Sequence, residues 1–369
     1  MFKRVLIVNP FGIGDALFIT PVIRAFREQG AKKIDLIVGK RTKELFETHP
    51  NVNQIFVFDR EKIKKKSWMI QISDLFKFSS QLRKNQYDLL FDISFAWQYV
   101  VLGFLSGIPR RAGFNYKGRG RLLTDRIDLP LGYSQKHVVD YYAELLSLLH
   151  ISINSKELEL NLVSDDFQKA DSLLQQVGVK QKENFISVAC GGGESWGVHA
   201  RLKRWPVSSF AELIGRLKSN SEIDFQKVIL LGGPSEFDLS EQLARQNPDL
   251  IVNLCGKADI RTSAALLSKS LALIANDGGL VHLASSVKTP VVALFGPVDP
   301  KIYGPFPSAR TRLAVVNEGP ECRPCYQNMR YNSLCEHIKC LTELSPERVL
   351  NEMTRTHFWQ NVQKKDLAL

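Results

Sequence analysis

The chain has 369 residues, of which 44% are hydrophobic and 24% are charged, as in globular proteins with a sizeable core. This length suggests two domains. The formal net charge of +11 favours anionic partners, namely phosphorylated substrates, nucleic acid or an acidic membrane surface. The alternative interpretation is an ordinary basic surface that faces solvent.

The opening residues MFKRVLIVNP lack the apolar core of a secretory signal. The most apolar later stretch, Ile93 to Ile108, is shorter than the roughly 18–20 residues that span a bilayer, and we interpret it as a buried helix. We therefore expect a cytoplasmic protein, either free or peripheral on the inner face of the inner membrane, where basic residues meet anionic lipid.

The first half of the chain alternates strands and helices. The strands are predicted at RVLIVN, KIDLIVG, QIFVFD and YDLLFDI, and helices at DALFITPVIRAFREQG and MIQISDLFKFSSQLRK. Short buried strands that alternate with helices indicate a parallel, doubly wound sheet. The pattern weakens near NYKGRGRLLTDRIDLP and ends with the helix HVVDYYAELLSLLH.

The alternation restarts in the second half. Strands are predicted at FISVAC, KVILLGG, LIVNLCG, LALIAND and PVVALFG. We therefore predict an α/β fold with two Rossmann-like, doubly wound parallel-sheet domains, at residues 1–165 and 166–369. The second domain includes the cysteine-rich segment 322–340 and a capped terminal helix in ELSPERVLNEMTRTHFWQNVQ.

The segment NPFGIGD follows the first strand and contains Gly12, Gly14 and Asp15. A dehydrogenase fingerprint needs G-x-G-x-x-G and an acidic residue after the second strand. Leu17 stands at the third glycine position, and the second strand ends in VGKR, so the sequence argues against a dehydrogenase. The glycines serve either a tight strand-to-helix turn or the close approach of a ligand.

The second half contains loops suited to phosphate. In ANDGGLVH, the amides of Gly278 and Gly279 at a helix start form a candidate anion site. His282 is either a hydrogen-bonding partner for a ligand or an interior histidine, and Asp277 either a ribose ligand or a helix cap. The other candidates for diphosphate, ribose or base contacts are Lys203, Arg204 and Glu236, the last of which is alternatively a helix-start carboxylate.

Two basic loops in the first half suit a large polyanionic substrate or, alternatively, form a solvated surface. They contain Arg60, Lys62, Lys64, Lys65 and Lys66, and Lys117, Arg119 and Arg121. We expect no nucleic-acid partner, since no RNP-type aromatic pattern or zinc-finger histidine spacing accompanies these residues.

Four of the six cysteines are clustered in the spacing C-x2-C…C-x4-C, at Cys322, Cys325, Cys335 and Cys340. The first pair has zinc-knuckle spacing, and zinc is one interpretation. Reduced structural thiols are the favoured one, and a disulfide, which a reducing cytoplasm opposes, is the third.

Together, NPFGIGDALFITPVIRAF, LKRWP, ANDGGLVHLA, ALFGPVDP and CRPC…C…C…ELSPERVL resemble glycosyltransferase family 9, the bacterial lipopolysaccharide heptosyltransferases. The resemblance runs from Val5 to about Leu350. It implies a GT-B fold, with two facing Rossmann-like domains that bind acceptor and nucleotide sugar. It also implies an inverting, metal-independent and cofactor-free transfer, typically from ADP-heptose to an anionic glycolipid, the lipid A–Kdo or growing core acceptor.

The resemblance also implies roles for particular residues. Asp15 matches the general base, and the loop with Gly12 and Gly14 lies on the acceptor side, as does the basic loop from Arg60 to Lys66. Lys203 matches the donor-phosphate lysine of K-x-W-P, and Glu236 a donor-binding glutamate. The motif D-[ST]-G-x-x-H falls on Asp277, Gly278, Gly279 and His282. The sequence departs from it at Gly278, where a side-chain hydroxyl is lost.

Three alternatives remain at this point. The first is a transferase of the same fold with another nucleotide sugar or another acceptor, such as O-antigen, capsule or protein. The second is a nucleotide-sugar epimerase, which would need no acceptor. The third is a non-enzymatic protein that binds anions or a lipid surface through its positive charge.

Overall fold

The computed structural model describes residues 1–58, 67–180, 183–220, 223–307, 311–317, 319–327, 330–331 and 335–366. Contacts divide the chain into two units, Met1–Asn161 and Leu162–Leu369, four residues before the predicted boundary. The difference arises because the helix Ser164–Gln176 belongs to the second unit. Asp166, in its first turn, forms a buried ion pair with Arg261 of the same unit, with Oδ1 2.9 Å from Nε.

The first unit contains a parallel six-stranded sheet. Its strands are β1 Arg4–Asn9, β2 Lys33–Gly39, β3 Gln54–Phe58, β4 Leu89–Asp92, β5 Arg110–Asn115 and β6 Asp125–Asp128. The order across the sheet is β3-β2-β1-β4-β5-β6, and Val5 of β1 pairs with Ile34 on one side and Leu89 on the other. The strand order therefore reverses between β1 and β4, and open α/β sheets bind ligands at the carboxyl ends of the strands at such a switch point.

The helices of the first unit cover this sheet. They are α1 Ile13–Leu17, α2 Thr20–Glu28, α3 Trp68–Arg83, α4 Trp97–Leu105 and α5 Val138–Leu148, with a 3₁₀ segment at Lys40–Leu45. The prediction of one helix in DALFITPVIRAFREQG is wrong, because α1 ends before Phe18 and α2 begins at Thr20. Pro21 lies in the first turn of α2, where the missing proline N–H has no intrahelical partner to lose.

The sequence pattern did not predict β5 and β6. Strand β5 begins with two arginines, and in β6 half-buried and exposed residues alternate because it is the edge strand. Both strands therefore lack the continuous apolar run that marks β1, in which Val5, Leu6, Ile7 and Val8 are fully buried.

The second unit contains another parallel six-stranded sheet. Its strands are β7 Phe185–Ala189, β8 Lys227–Leu230, β9 Ile251–Asn253, β10 Leu273–Asn276, β11 Val291–Phe295 and β12 Arg312–Val316. The order is β12-β11-β10-β7-β8-β9, which places the switch point between β7 and β10. A short antiparallel hairpin pairs β13 Tyr326–Gln327 with β14 Arg330–Tyr331.

The helices of the second unit are α6 Ser164–Gln176, α7 Val207–Lys218, α8 Phe237–Ala244, α9 Ile260–Lys269, α10 Gly279–Ser286, α11 Pro300–Tyr303, α12 Lys339–Thr342, α13 Pro346–Arg355 and α14 Phe358–Asp366. Segments of 3₁₀ helix lie at Glu194–Lys203 and Pro234–Glu236. The predicted terminal helix is two helices, because His357 takes a left-handed conformation with φ of +52° between α13 and α14. Ser345 caps α13 by accepting the Arg348 N–H, and Phe358 and Val362 of α14 pack into the core of this unit.

The apolar stretch predicted as a buried helix forms α4, and only one face of it is buried. Tyr99, Val100 and Leu102 are buried, whereas Trp97 and Phe104 are 53% and 54% exposed. Among the residues described above, no helix has both the length and the apolar character that a bilayer crossing requires.

Candidate active site

The loop after β1 is closed by Asn9, the last residue of that strand. The Asn9 side chain donates to the Asp15 carbonyl oxygen over 2.6 Å, and its Oδ1 accepts the Phe11 N–H. Gly12 is the N-cap of α1 with φ of −76°, a conformation open to any residue. The backbone at Gly12 therefore does not require glycine for a tight turn.

Asp15 lies in the first turn of α1, where the helix dipole favours a carboxylate. The N-cap of this helix is Gly12 rather than Asp15. The buried Tyr142 of α5 is close enough to interact with it. Burial and, secondarily, the negative charge of Asp15 raise the pKa of the Tyr142 phenol well above its ordinary value.

Asp92, which sequence reasoning missed, ends β4 on the other side of the same switch point. Its Oδ1 accepts the Ser94 N–H over 2.9 Å, and the Ile93 N–H donates to the Val8 carbonyl of β1. Burial raises the pKa of Asp92 to about 6, although the hydrogen bonds from Ser94 oppose the shift. The only signal in the sequence was a carboxylate at the end of the apolar run LLFD.

Of the two predicted basic loops, one follows β5 at the carboxyl edge of the first sheet. Arg119 donates to the Phe95 carbonyl oxygen, just after β4, and its guanidinium lies 5.9 Å from the centre of the Tyr116 ring. Arg121 is exposed. The other loop, with Arg60, Lys62, Lys64, Lys65 and Lys66, lies outside the described residues.

In the second unit, Lys203 and Asp277 form a buried ion pair with Nζ 2.6 Å from Oδ2. Lys203 ends the 3₁₀ segment that follows β7, and Asp277 directly follows β10. The two side chains are 3% and 6% exposed. The structure thus brings two residues predicted from separate motifs together at the switch point of the second sheet.

Asn276, the last residue of β10, fixes the loops around this pair. Its side-chain amide donates to the carbonyl oxygens of Cys190 over 2.7 Å and Gly191 over 3.1 Å. Its Oδ1 accepts the Trp205 N–H over 3.1 Å. Asn276 is 2% exposed, and sequence reasoning did not identify it.

Helix α10 begins at Gly279 with Gly278 as its N-cap, so the predicted anion site is a helix start beside Asp277. Gly278 has an extended backbone, with φ of −179°, and a Cβ added there would lie 3.7 Å from its nearest neighbour, the Asn276 carbonyl oxygen. A side chain would therefore fit. His282 lies one turn into α10 and is 5% exposed.

Glu236 organises the glycine loop after β7. Its Oε1 accepts the Gly193 N–H over 2.9 Å and its Oε2 accepts the Gly233 N–H over 3.0 Å. The carboxylate fills the space beside Gly191, since a Cβ there would lie 1.9 Å from Oε1. Glu236 therefore supports the loop directly, whatever ligand contact it also makes.

Arg204 lies between Lys203 and Trp205, and its side chain is half-buried. Its Nε is buried and has no hydrogen-bond partner within the part of the chain that the structure describes. A buried guanidinium donor without a partner is costly. Arg204 is therefore suited to donate to an anionic ligand at this edge.

The six cysteines are all described by the structure. None of the six is disulfide-bonded, and no group of three or more His, Cys, Asp or Glu side chains among the described residues is arranged to hold a metal ion. Burial, together with the neighbouring cysteines, raises the pKa of Cys325 to about 11, and burial chiefly raises that of Cys340 to about 11. Whether Cys322, Cys325, Cys335 and Cys340 bind zinc, stay reduced or form a disulfide therefore stays a prediction.

Comparisons with known proteins identify the family and the fold of the chain. The profile of glycosyltransferase family 9 (heptosyltransferase) matches residues 75–334. Lipopolysaccharide heptosyltransferase 2 of Escherichia coli K12 is 24% identical over 360 residues, which cover 95% of this chain and 97% of that protein. The solved family 9 glycosyltransferase of Veillonella parvula superposes with a TM-score of 0.75 at 21% identity, covering 96% of this chain and 97% of that chain. The structure of E. coli ADP-heptose lps heptosyltransferase II superposes with a TM-score of 0.72 at 19% identity. The superposition covers 98% of this chain and 99% of that chain.

The two parallel-sheet α/β units define a protein of the GT-B fold class. The chain belongs to glycosyltransferase family 9 and is a glycosyltransferase. This membership excludes the epimerase and the non-enzymatic anion-binding protein considered from the sequence.

Proposed function

We propose that this enzyme transfers a heptose from ADP-heptose to a lipopolysaccharide core acceptor, with inversion and without a metal ion. The observation that carries the proposal is the buried Lys203–Asp277 pair beside the start of α10, at the switch point of the second sheet. A fixed ammonium and free helix-start amides are suited to a diphosphate.

The donor is held by the second unit. The diphosphate binds to Lys203, Arg204 and the amides of Gly278 and Gly279, with His282 as a further hydrogen-bond partner. Asp277 and Glu236 complete the donor site, where carboxylates suit the ribose hydroxyls. These cationic and amide groups stabilise the charge that develops on the leaving ADP, so no divalent cation is required.

The acceptor is held by the first unit, through the loop of Gly12 and Gly14 and the basic residues Arg60, Lys62, Lys64, Lys65, Lys66, Arg119 and Arg121. The acceptor hydroxyl oxygen attacks the anomeric carbon from the face opposite the ADP. A new C–O bond forms as the bond to the β-phosphate oxygen breaks. Asp15 takes the hydroxyl proton, and such assistance is worth typically ~10²–10⁴-fold.

The acceptor is a lipid anchored in the inner membrane, so the enzyme works in the cytoplasm at the inner face of that membrane. The formal charge of +11 favours contact with an anionic lipid surface. The second candidate is another nucleotide sugar as donor, which Gly278 favours, because the hydroxyl of the usual Ser or Thr is missing there.

The first test is a thermal-shift titration with ADP, UDP, GDP, CMP and NAD. A ligand at 100 times its Kd stabilises the folded state by about 2.7 kcal/mol. Selective stabilisation by ADP is expected, and selective stabilisation by UDP or GDP would contradict the donor. Arg204→Met should weaken the ADP effect without loss of stability, whereas the exposed neighbour Arg201→Met is the matched control.

Metal independence has its own test. Heptose transfer should continue unchanged when EDTA is added, because the protein supplies the positive charge that faces the diphosphate. Loss of transfer in EDTA, with an unchanged unfolding temperature and recovery on adding a divalent cation, would overturn this part of the proposal.

A further inference from the structure

A basic recess lies at the amino edge of the first sheet, away from the carboxyl edge that holds the Asp15 loop. Its volume is about 570 Å³. We define the basic recess by the residues that line it, which are Lys3, Arg4, Lys32, Lys33, Lys84 and Asn85. These residues come from the starts of β1 and β2 and from the turn after α3.

Backbone hydrogen bonds hold these three segments together. The N–H groups of Lys32 and Lys33 both donate to the Lys3 carbonyl oxygen, over 2.8 and 3.0 Å. Asp88 Oδ2 accepts the N–H groups of Lys3 and Arg4, over 2.6 and 2.9 Å. These bonds therefore fix the backbone positions from which the cationic side chains extend at the sheet edge.

Asn85 accepts hydrogen bonds from two of the cationic side chains. Its backbone carbonyl oxygen accepts from Arg4 Nη1 over 3.2 Å, and its side-chain Oδ1 accepts from Lys33 Nζ over 2.7 Å. Gln86 Oε1 accepts a further hydrogen bond from Arg4 Nη1 over 2.9 Å. The partners of Arg4 are thus neutral groups that orient the guanidinium and leave its charge uncompensated.

The charge of the basic recess is poorly neutralised by the protein. Lys33 lies 3.3 Å from the buried Asp35, whereas no carboxylate of the described residues forms an ion pair with the side chain of Lys3, Arg4, Lys32 or Lys84. The carboxylate of Asp88 faces backbone amides. Like charges held close together repel and raise the local concentration of anions.

We infer that the basic recess is a second anion site, which binds a ligand with clustered phosphate groups. Arg4 offers a planar fork to phosphate oxygens, and the lysines add point charges. Such phosphates come from a free oligophosphate or from the headgroups of an anionic lipid. The inference does not depend on the proposed donor or acceptor, because no residue of the recess belongs to the sites described above.

The test is calorimetric titration of the full chain with tripolyphosphate. The triple variant Lys3→Gln/Lys32→Gln/Lys84→Gln should bind it roughly tenfold more weakly, since three of the positive charges that attract the phosphates are lost. The control Lys180→Gln/Lys257→Gln/Lys301→Gln removes the same charge from exposed lysines of the second unit and should bind as the wild type does. The same loss should appear when the triple variant is made in an Arg204→Met background, which separates the recess from the nucleotide site.

The second arm of the test uses vesicles of phosphatidylcholine with phosphatidic acid, compared with phosphatidylcholine alone. Loss of tripolyphosphate binding in the recess variant supports a soluble ligand. Loss of vesicle binding alone supports a lipid headgroup. Three results would overturn the inference. The recess variant could bind as the wild type does in both arms, the control could lose as much affinity as the recess variant, or the wild type could bind in neither arm.

Discussion

Lys203 and Asp277 meet as a buried ion pair, with 2.6 Å between Nζ and Oδ2, at the point where the strand order of the second sheet reverses. One residue follows β7 and the other follows β10, so neighbouring parallel strands bring them together. The pair fixes an ammonium beside the first turn of α10. The contribution of this pair to the stability of the fold and its role in donor binding can be measured separately.

Breaking the Lys203–Asp277 pair should destabilise the folded state strongly. Asp277→Asn leaves the buried Lys203 ammonium without its counter-charge, and we expect the free energy of unfolding to fall by about 3–5 kcal/mol. The matched control is Asp165→Asn, which breaks an exposed ion pair with Lys169 on α6 and should leave the free energy of unfolding almost unchanged. Urea denaturation of both variants checks this, and equal small changes would show that the buried pair is not structurally important.

Asn276 should matter for both stability and ADP binding. Asn276→Leu keeps the size of the side chain and removes hydrogen bonds to Cys190, Gly191 and Trp205, so unpaired buried groups should cost roughly 1–3 kcal/mol each. ADP affinity should fall as well, because the loops around Lys203 lose their common anchor.

The control for that variant is Asn253→Leu at the end of β9, the edge strand of the same sheet. Asn253 donates to Phe237 and Glu241 and accepts the Cys255 N–H. Its loss should lower stability and leave ADP affinity unchanged, as isothermal titration would show. Equal losses of ADP affinity in both variants would mean that Asn276 acts only through global stability.

Gly278→Ser should be tolerated. The backbone is extended and a Cβ meets its nearest atom at 3.7 Å, so we expect a change in stability within about 0.5 kcal/mol. The added hydroxyl should leave ADP affinity equal or stronger. Gly191→Ala is the contrasting variant. Its Cβ would lie 1.9 Å from Glu236 Oε1, so we expect it to destabilise the folded state strongly. Thermal unfolding with and without ADP compares the two, and a Gly278→Ser variant as damaged as Gly191→Ala would contradict this prediction.

Asp92 should make stability depend on pH. Burial raises its pKa to about 6, so between the ordinary value of 3.8 and about 6 the folded state holds a proton that the unfolded state releases. Its contribution to stability is therefore greatest below pH 4 and declines, by up to about 3 kcal/mol, as the pH rises through 6. Asp92→Asn should gain stability relative to the wild type over that window, as chemical denaturation at pH 4 and pH 7 measures. A constant difference between the two proteins would show that Asp92 keeps an ordinary pKa.

Much of the fold could be predicted because buried parallel strands are continuous apolar runs. The runs at RVLIVN and LALIAND became β1 and β10. The arginine-led β5 and the edge strand β6 have no such run, and their hydrogen bonds come from neighbouring strands that a local pattern does not contain. The break between α1 and α2 falls at Phe18 and Ile19, both buried, within the apolar run ALFI that shows no interruption in the sequence.

The candidate site was predictable only as a set of loops. Gly-rich and charged segments at strand ends identified Lys203, Asp277 and Glu236. The roles of Asn276 and Asp92 depend on which strands are neighbours, and this order is set by the whole sheet. A single buried asparagine or aspartate at a strand end gives no comparable signal in the sequence.

The measurement that tests the central claim most directly is heptose transfer from ADP-heptose to a lipid A–Kdo or heptose-bearing core acceptor, followed by mass spectrometry. The wild type should add one heptose, and Asp15→Asn should lower kcat by ~10²–10⁴-fold with unchanged ADP affinity. The exposed Glu28→Gln on α2 of the same unit is the control and should keep full activity. Full turnover by Asp15→Asn would contradict the general base, and no transfer by the wild type from ADP-heptose would contradict the proposed reaction.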